Sequence, residues 1–213
     1  MLGISALGVM AANAAAPGVY VTGQLGYAKD KTKLTALSPN AKAYNPSSIT
    51  LSNNGLAGRL AIGYQFNQNF AVEMGYLQLS KKNLNGTLFT PARGFVGPVL
   101  KGSASLQQNA IDILGKGILP VSDKFNVYGK LGVAYLTSTV KGKYDVAGKS
   151  IDLNNNTANI AKHKWAPEAA VGVSYDITPN VSVDTSWTHI QPLGNKRPGN
   201  IDFVAVGVAY NFG

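Results

Sequence analysis

The chain has 213 residues, which suits one domain, and only 14% of them are charged, well below the roughly 25% of soluble domains. With 24 glycines and 10 tyrosines, this composition favours an all-β chain with limited water contact and argues against a soluble helical protein. The formal net charge is +9, and the absence of cysteine excludes disulfides and thiolate metal sites.

The N-terminus, MLGISALGVMAANAAAPGVY, opens with an apolar run too short to span a membrane as a helix. Small residues follow at Ala12, Ala14 and Ala16, so residues 1–16 read as a signal-peptide-like leader, although the usual positive n-region is missing. No later stretch reaches about 18 consecutive apolar residues, so a membrane role requires strands.

Alternation then predicts eight strands, at about 18–28, 57–66, 70–80, 108–119, 125–138, 165–177, 181–190 and 201–212. NQN, PVSDK and TPN make tight turns after the second, fourth and sixth strands. Between these turns lie the long segments 29–56, 81–106, 139–164 and 191–200, so the long segments share one end of the domain and the turns share the other. Strict alternation of long and short connections is the pattern of an up-and-down transmembrane barrel with short periplasmic turns and external loops. The expected architecture is therefore an eight-stranded antiparallel β-barrel over residues 17–213. At this strand number, side chains fill the interior.

Parity sharpens this reading. Leu60, Ile62, Tyr64 and Phe66 share one strand face, as do Phe70, Val72, Met74 and Tyr76, and likewise Val127, Leu131, Val133 and Tyr135. Near the C-terminus Val204, Val206, Val208, Tyr210 and Phe212 form another bulky row, backed by Ala205, Gly207, Ala209 and Asn211. These rows are expected to face lipid, because the opposite faces hold Arg59, Gly63, Gln65, Glu73, Gly75, Lys130, Gly132, Ser182, Asp184 and Ser186. A soluble lipocalin-like carrier, the reading from outside the membrane class, would have apolar groups inside and polar groups outside. Tyr64, Phe66, Phe70, Phe125, Tyr128, Trp165, Tyr175 and Phe212 lie near strand ends and suit interfacial girdles.

GYQFNQNFAVEMGY (63–76), YDITPNVSVDTSW (175–187) and RPGNIDFVAVGVAYNFG (197–213) together resemble the transmembrane domain of OmpA-type outer-membrane proteins. The resemblance extends over all eight strands and leaves the long segments unmatched. It implies a barrel in the outer membrane of a Gram-negative bacterium, and a terminal aromatic strand, here Tyr210 and Phe212, read by the barrel-assembly machinery. Wall anchoring through a further peptidoglycan-binding domain is not carried over. It also implies interior ion pairs, with Glu73 and Lys116 at matching positions. Ser174 and Asp184 stand where the family has an acid and an arginine, so the pairing must be rewired.

Counting inward positions by parity, Arg59, Lys116 and Lys130 face Glu73, Asp112, Glu168 and Asp184. Unpaired charge in a narrow lumen is costly, so a mixed network is expected rather than a pore lining of one sign. Two readings follow: satisfied filling, or a gate in a small, low-conductance pore.

The long segments hold fifteen of the nineteen basic residues and three of the ten acids. Their basic rim is Lys29, Lys31, Lys33, Lys81, Lys82, Lys141, Lys143, Lys149, Lys162, Lys164, Lys196 and Arg197. Such a rim either keeps loops solvated or meets the phosphates of lipopolysaccharide and acidic glycans of host or environment. Scattered loop lysines without a binding module argue against nucleic acid.

Catalysis is not expected. His163 and His189 are the two histidines, and Ser186 three residues before His189 falls on the opposite strand face. Neither a metal pattern nor a phosphate loop is present, so no cofactor is expected. The sequence points to a monomeric outer-membrane barrel with a structural and surface-contact role, its partners being outer-membrane lipid, lipopolysaccharide and the assembly machinery.

Overall fold

The computed structural model describes residues 17–35, 48–92, 95–146, 149–154, 161–195 and 197–213; the leader at 1–16 lies outside the described residues. Among those described are ten strands: β1 (Gly18–Thr35), β2 (Ser48–Asn67), β3 (Phe70–Leu79), β4 (Lys82–Ala92), β5 (Phe95–Pro120), β6 (Phe125–Val146), β7 (Lys149–Leu153), β8 (His163–Asp176), β9 (Val181–Ile190) and β10 (Ile201–Asn211). All pairings are antiparallel. Eight strands close a ring in the order β1-β2-β3-β5-β6-β8-β9-β10, and β10 returns to β1 from Tyr20 opposite Asn211 to Asp30 opposite Ile201. Closure leaves no sheet edge in the ring, the condition for a sheet to cross a bilayer with its backbone satisfied.

The long connections carry more strand than their composition predicts. β1 and β2 remain paired out to Thr35 opposite Ser48. β4 folds back on the first half of β5, and β7 on the end of β6. A membrane strand needs only about 9–11 residues; β5, with 26, therefore continues well past any hydrocarbon layer. These extensions are held by ladder hydrogen bonds.

The eight ring strands show the predicted inversion of a soluble protein. Leu131 is 71% exposed, Leu60 70% and Val206 65%, while Arg59 at 3% and Glu73 at 0% are buried. A lipocalin-like carrier would reverse that order, so this reading is overturned. The exposed aromatics form two bands. At the turn end, Tyr64, Phe66 and Phe70 pack in series with ring centroids 5.0 and 5.9 Å apart, and Tyr210 lies 4.9 Å from Phe212. At the other end the exposed Trp165 meets the half-buried Tyr135 edge to face at 5.0 Å. Tyr128 is not a girdle residue: it is 3% exposed and points into the barrel, because its parity is opposite to that of Val127 and Leu131.

Toward the long-segment end the interior holds an apolar cluster beside the buried polar side chains of Asp30, Gln108 and Ser138. Leu77, Leu79, Leu136, Ile190, Ile201 and Phe203 are at most 2% exposed and cluster with alanines from six strands. This layer was not anticipated, since the inner face of the last strand reads as small residues until Phe203 and Ile201 are included.

Candidate functional site

Below the apolar layer the inward rows converge on Glu73, a fully buried carboxylate on β3. Its Oε2 accepts from Lys130 Nζ at 2.7 Å and from Arg59 Nη1 at 3.3 Å, while Lys116 Nζ lies 3.6 Å from Oε1. Tyr20 donates its hydroxyl to Oε1 at 2.7 Å. Arg59 also spans Asp112 with two bonds, Nη2 to Oδ1 at 2.6 Å and Nε to Oδ2 at 3.2 Å. A two-point guanidinium–carboxylate fork fixes orientation as well as charge. Lys116 lies over the Tyr128 ring at 4.5 Å and the Tyr20 ring at 5.3 Å, geometry that suits a desolvated ammonium.

Five of the seven predicted interior residues, Arg59, Glu73, Asp112, Lys116 and Lys130, thus meet in one cluster. Asp184 lies in a separate group: its Oδ2 accepts from Tyr128 at 2.5 Å and from Gln24 at 2.7 Å. Ser174 is its register neighbour on β8, which places the two departures from the family pattern side by side. Glu168 is 3% exposed, and its Oε2 has no hydrogen-bond partner among the described residues.

Glycines make the room that these long side chains occupy. A Cβ at Gly75 would lie 2.5 Å from Arg59 Nη2 and 2.6 Å from Asp112 Oδ1, and one at Gly207 would lie 2.5 Å from Asp184 Oδ1. Gly63 and Gly172 do the same for the rings of Tyr20 and Tyr128. Tyr20, Gln24 and Tyr128 are the network members that sequence reasoning missed. Parity would have found them, since Tyr20 and Gln24 oppose Val19, Val21 and Leu25, and Tyr128 opposes Val127.

Side chains thus fill the interior, with an ion-pair layer beneath the apolar cluster. Each cation in the cluster has a carboxylate within 4 Å, which offsets the desolvation that makes isolated buried charge costly.

Outside the wall, Lys29, Lys81, Lys141, Lys143, Lys162 and Arg197 are exposed, and Lys164 is half-buried. Lys31, Lys33, Lys82 and Lys149 lie on described strands, but their side chains are outside the described residues, as is all of Lys196. Arg197 donates to the Pro192 carbonyl at 3.2 Å, which ties the shortest of the four long segments to itself. His189 Nδ1 is 2.7 Å from Asp202 Oδ1 on the outer face, whereas Ser186 is buried in the interior, so the two do not form a catalytic pair. Phe212 is exposed, and its backbone N–H donates to the Val19 carbonyl at 2.9 Å.

Residues 14–213 match the OmpA-like transmembrane domain. The chain belongs to that family. It is an integral protein of the bacterial outer membrane. The chain is 28% identical to an uncharacterised Coxiella burnetii protein, covering 94% of this chain and 87% of that one. It is 24% identical to outer membrane protein A of Yersinia pseudotuberculosis, over 87% of this chain but 50% of that protein. The chain thus spans about half the length of that relative. Among solved structures, Pseudomonas aeruginosa OprG matches with a TM-score of 0.57 at 15% identity, covering 94% of this chain and 98% of that one. Neisserial surface protein A matches at 0.52 and 16% identity, over 92% and 97%. These likenesses concern the barrel fold.

Proposed function

We propose that this protein is a monomeric structural and surface-contact barrel of the outer membrane, without catalytic activity, its long segments facing the cell exterior and its basic rim meeting anionic groups there. The observation that carries this reading is the division of cations between two surfaces. Those inside are bound to carboxylates in a filled lumen, while Lys81, Lys141 and Lys143 stand exposed outside it. An exposed cationic rim attracts phosphate and sulfate by long-range Coulomb forces, which salt screens. Lipopolysaccharide phosphates and acidic glycans are the anions within reach. Tyr210, exposed on the closing strand, and Phe212, exposed just past its end, are the residues assigned to recognition by the assembly machinery.

The test is salt-dependent binding of the refolded protein to immobilised heparin and to lipopolysaccharide, compared with a variant carrying glutamine at Lys29, Lys81, Lys141, Lys143 and Lys162. Loss of binding in the variant supports the reading; retention removes the contact role. Single-channel recording addresses the gated-pore alternative, and the filled interior supports negligible conductance for both the wild type and Lys116→Ala. Steady opening of the wild-type barrel would restore the pore.

A further inference from the structure

The outer wall of β5 and β6 changes character within one register step. Ile113 opposite Val133 and Ile111 opposite Tyr135 are the last apolar pairs of the lipid-facing rows. The next outward pairs are Asn109 opposite Thr137 and Gln107 opposite Thr139, followed by Ser105 opposite Lys141. These polar pairs floor a groove of about 240 Å³, with Lys81 and Lys141 among its lining residues. Hydrogen bonds bind the floor to the girdle below, since Asn109 Nδ2 donates to the Tyr76 hydroxyl at 3.1 Å and that hydroxyl donates to Gln78 Oε1 at 2.6 Å. Among the described residues, neither lysine is in an ion pair.

The opposite wall differs. There Lys29 is the register partner of Asp202, which in turn contacts His189 at 2.7 Å, so a carboxylate stands on the facing strand just above the aromatic band. The groove on β5 and β6 combines three things: two ammonium groups, neutral amide and hydroxyl groups that suit sugar hydroxyls, and an aliphatic strip running directly down into hydrocarbon. A free phosphate would use only the first, and a soluble glycan only the first two. A ligand that uses all three has a phosphorylated sugar head and acyl chains.

We propose that this groove seats the phosphorylated sugar head of an outer-leaflet glycolipid, the phosphate between Lys81 and Lys141 and the acyl chains along Ile111, Ile113 and Val133. The assignment rests on the reading given above, that the basic end faces outward. It converts a diffuse rim attraction into a single site on one wall.

The probe is bisphosphorylated lipid A at a few per cent in phosphatidylcholine nanodiscs holding the intact, refolded chain, with retention read by native mass spectrometry. Parallel arms contain dephosphorylated lipid A, phosphatidylglycerol or inorganic phosphate. Each lysine near a charged lipid surface contributes enough that Lys81→Gln with Lys141→Gln is expected to weaken retention about 30-fold. Lys29→Gln with Arg197→Gln, on the other wall, is expected to leave retention within about twofold. An unchanged heat-modifiable gel shift establishes that both variants fold. Equal retention by wild type and the Lys81/Lys141 variant overturns the groove while leaving a general rim contact standing. Failure of wild type to retain any phosphorylated lipid overturns the groove and the lipopolysaccharide contact together. Retention of phosphatidylglycerol or free phosphate equal to that of lipid A also overturns the assignment, because the sugar head would then contribute nothing.

Discussion

Lys130 and Lys141 lie on the same strand, β6, and the contrast between them separates the two chemistries of this barrel. Lys130 has inward parity, is 4% exposed, and donates to Glu73 at 2.7 Å. Lys141 has outward parity, lies above the apolar rows, and is exposed beside a polar groove. One ammonium is held by a carboxylate because it has been taken out of water; the other keeps its water and remains free to exchange it for an external anion. In a closed barrel, parity and height along the strand decide whether a lysine holds the fold together or meets what lies outside.

The comparison is tested most severely at its inner side. Glu73→Ala removes the carboxylate shared by Lys130, Arg59 and Lys116, and should cost about 3–5 kcal/mol in urea-induced unfolding from lipid vesicles, because uncompensated buried cations remain. A loss below about 1 kcal/mol, the level of an exposed pair, would mean that water reaches the cluster. Adjacent to it, Phe203→Ala should open a cavity in the apolar layer and cost about 3–5 kcal/mol. If that variant also conducts ions in a planar bilayer, the apolar layer and not the ion pairs seals the lumen.

On the lipid side, Val206→Lys places a charge among exposed aliphatics and should cost about 2–4 kcal/mol near the bilayer midplane, measured in the same unfolding assay. A neutral result would contradict the lipid-facing assignment of the closing row. The smallest structural effect belongs to Lys141→Gln, for which the unfolding midpoint should not move while elution from heparin shifts to lower salt. A midpoint that fell with Lys141→Gln would place this lysine among the structural cations and erase the contrast with Lys130.

Most of the ring was legible because each of its strands carries a binary code enforced by two solvents. Val204, Val206 and Val208 alternate with Ala205, Gly207 and Ala209 since one side meets hydrocarbon and the other a crowded interior. Beyond the hydrocarbon layer no such pair of solvents acts, and β4, β7 and the outer part of β1 gave no signal. Tyr128 illustrates a different failure. Its residue type suited a membrane interface, but its parity put it inside against Asp184, and backbone geometry overrides the preference of a side chain. The partners within the interior were legible only as a set of candidates. Which carboxylate takes Arg59 depends on the stagger between strands, which brings Asp112 of β5 within 2.6 Å of a residue on β2, two strands away.

The pairing of β10 with β1 joins the two most distant stretches of the ring in sequence. Every other ring contact joins strands that are neighbours in the chain or separated in it by β4 or β7 alone, so this seam is the junction with the longest separation in sequence. Its formation has to await arrival of the final strand and bears the largest loop-closure entropy, so the unclosed intermediate presents two open edges until then. Circular permutants that open the chain at the 178–180 turn would turn the seam into a hairpin, and their refolding rates would report how much of the kinetic barrier lies in joining first strand to last.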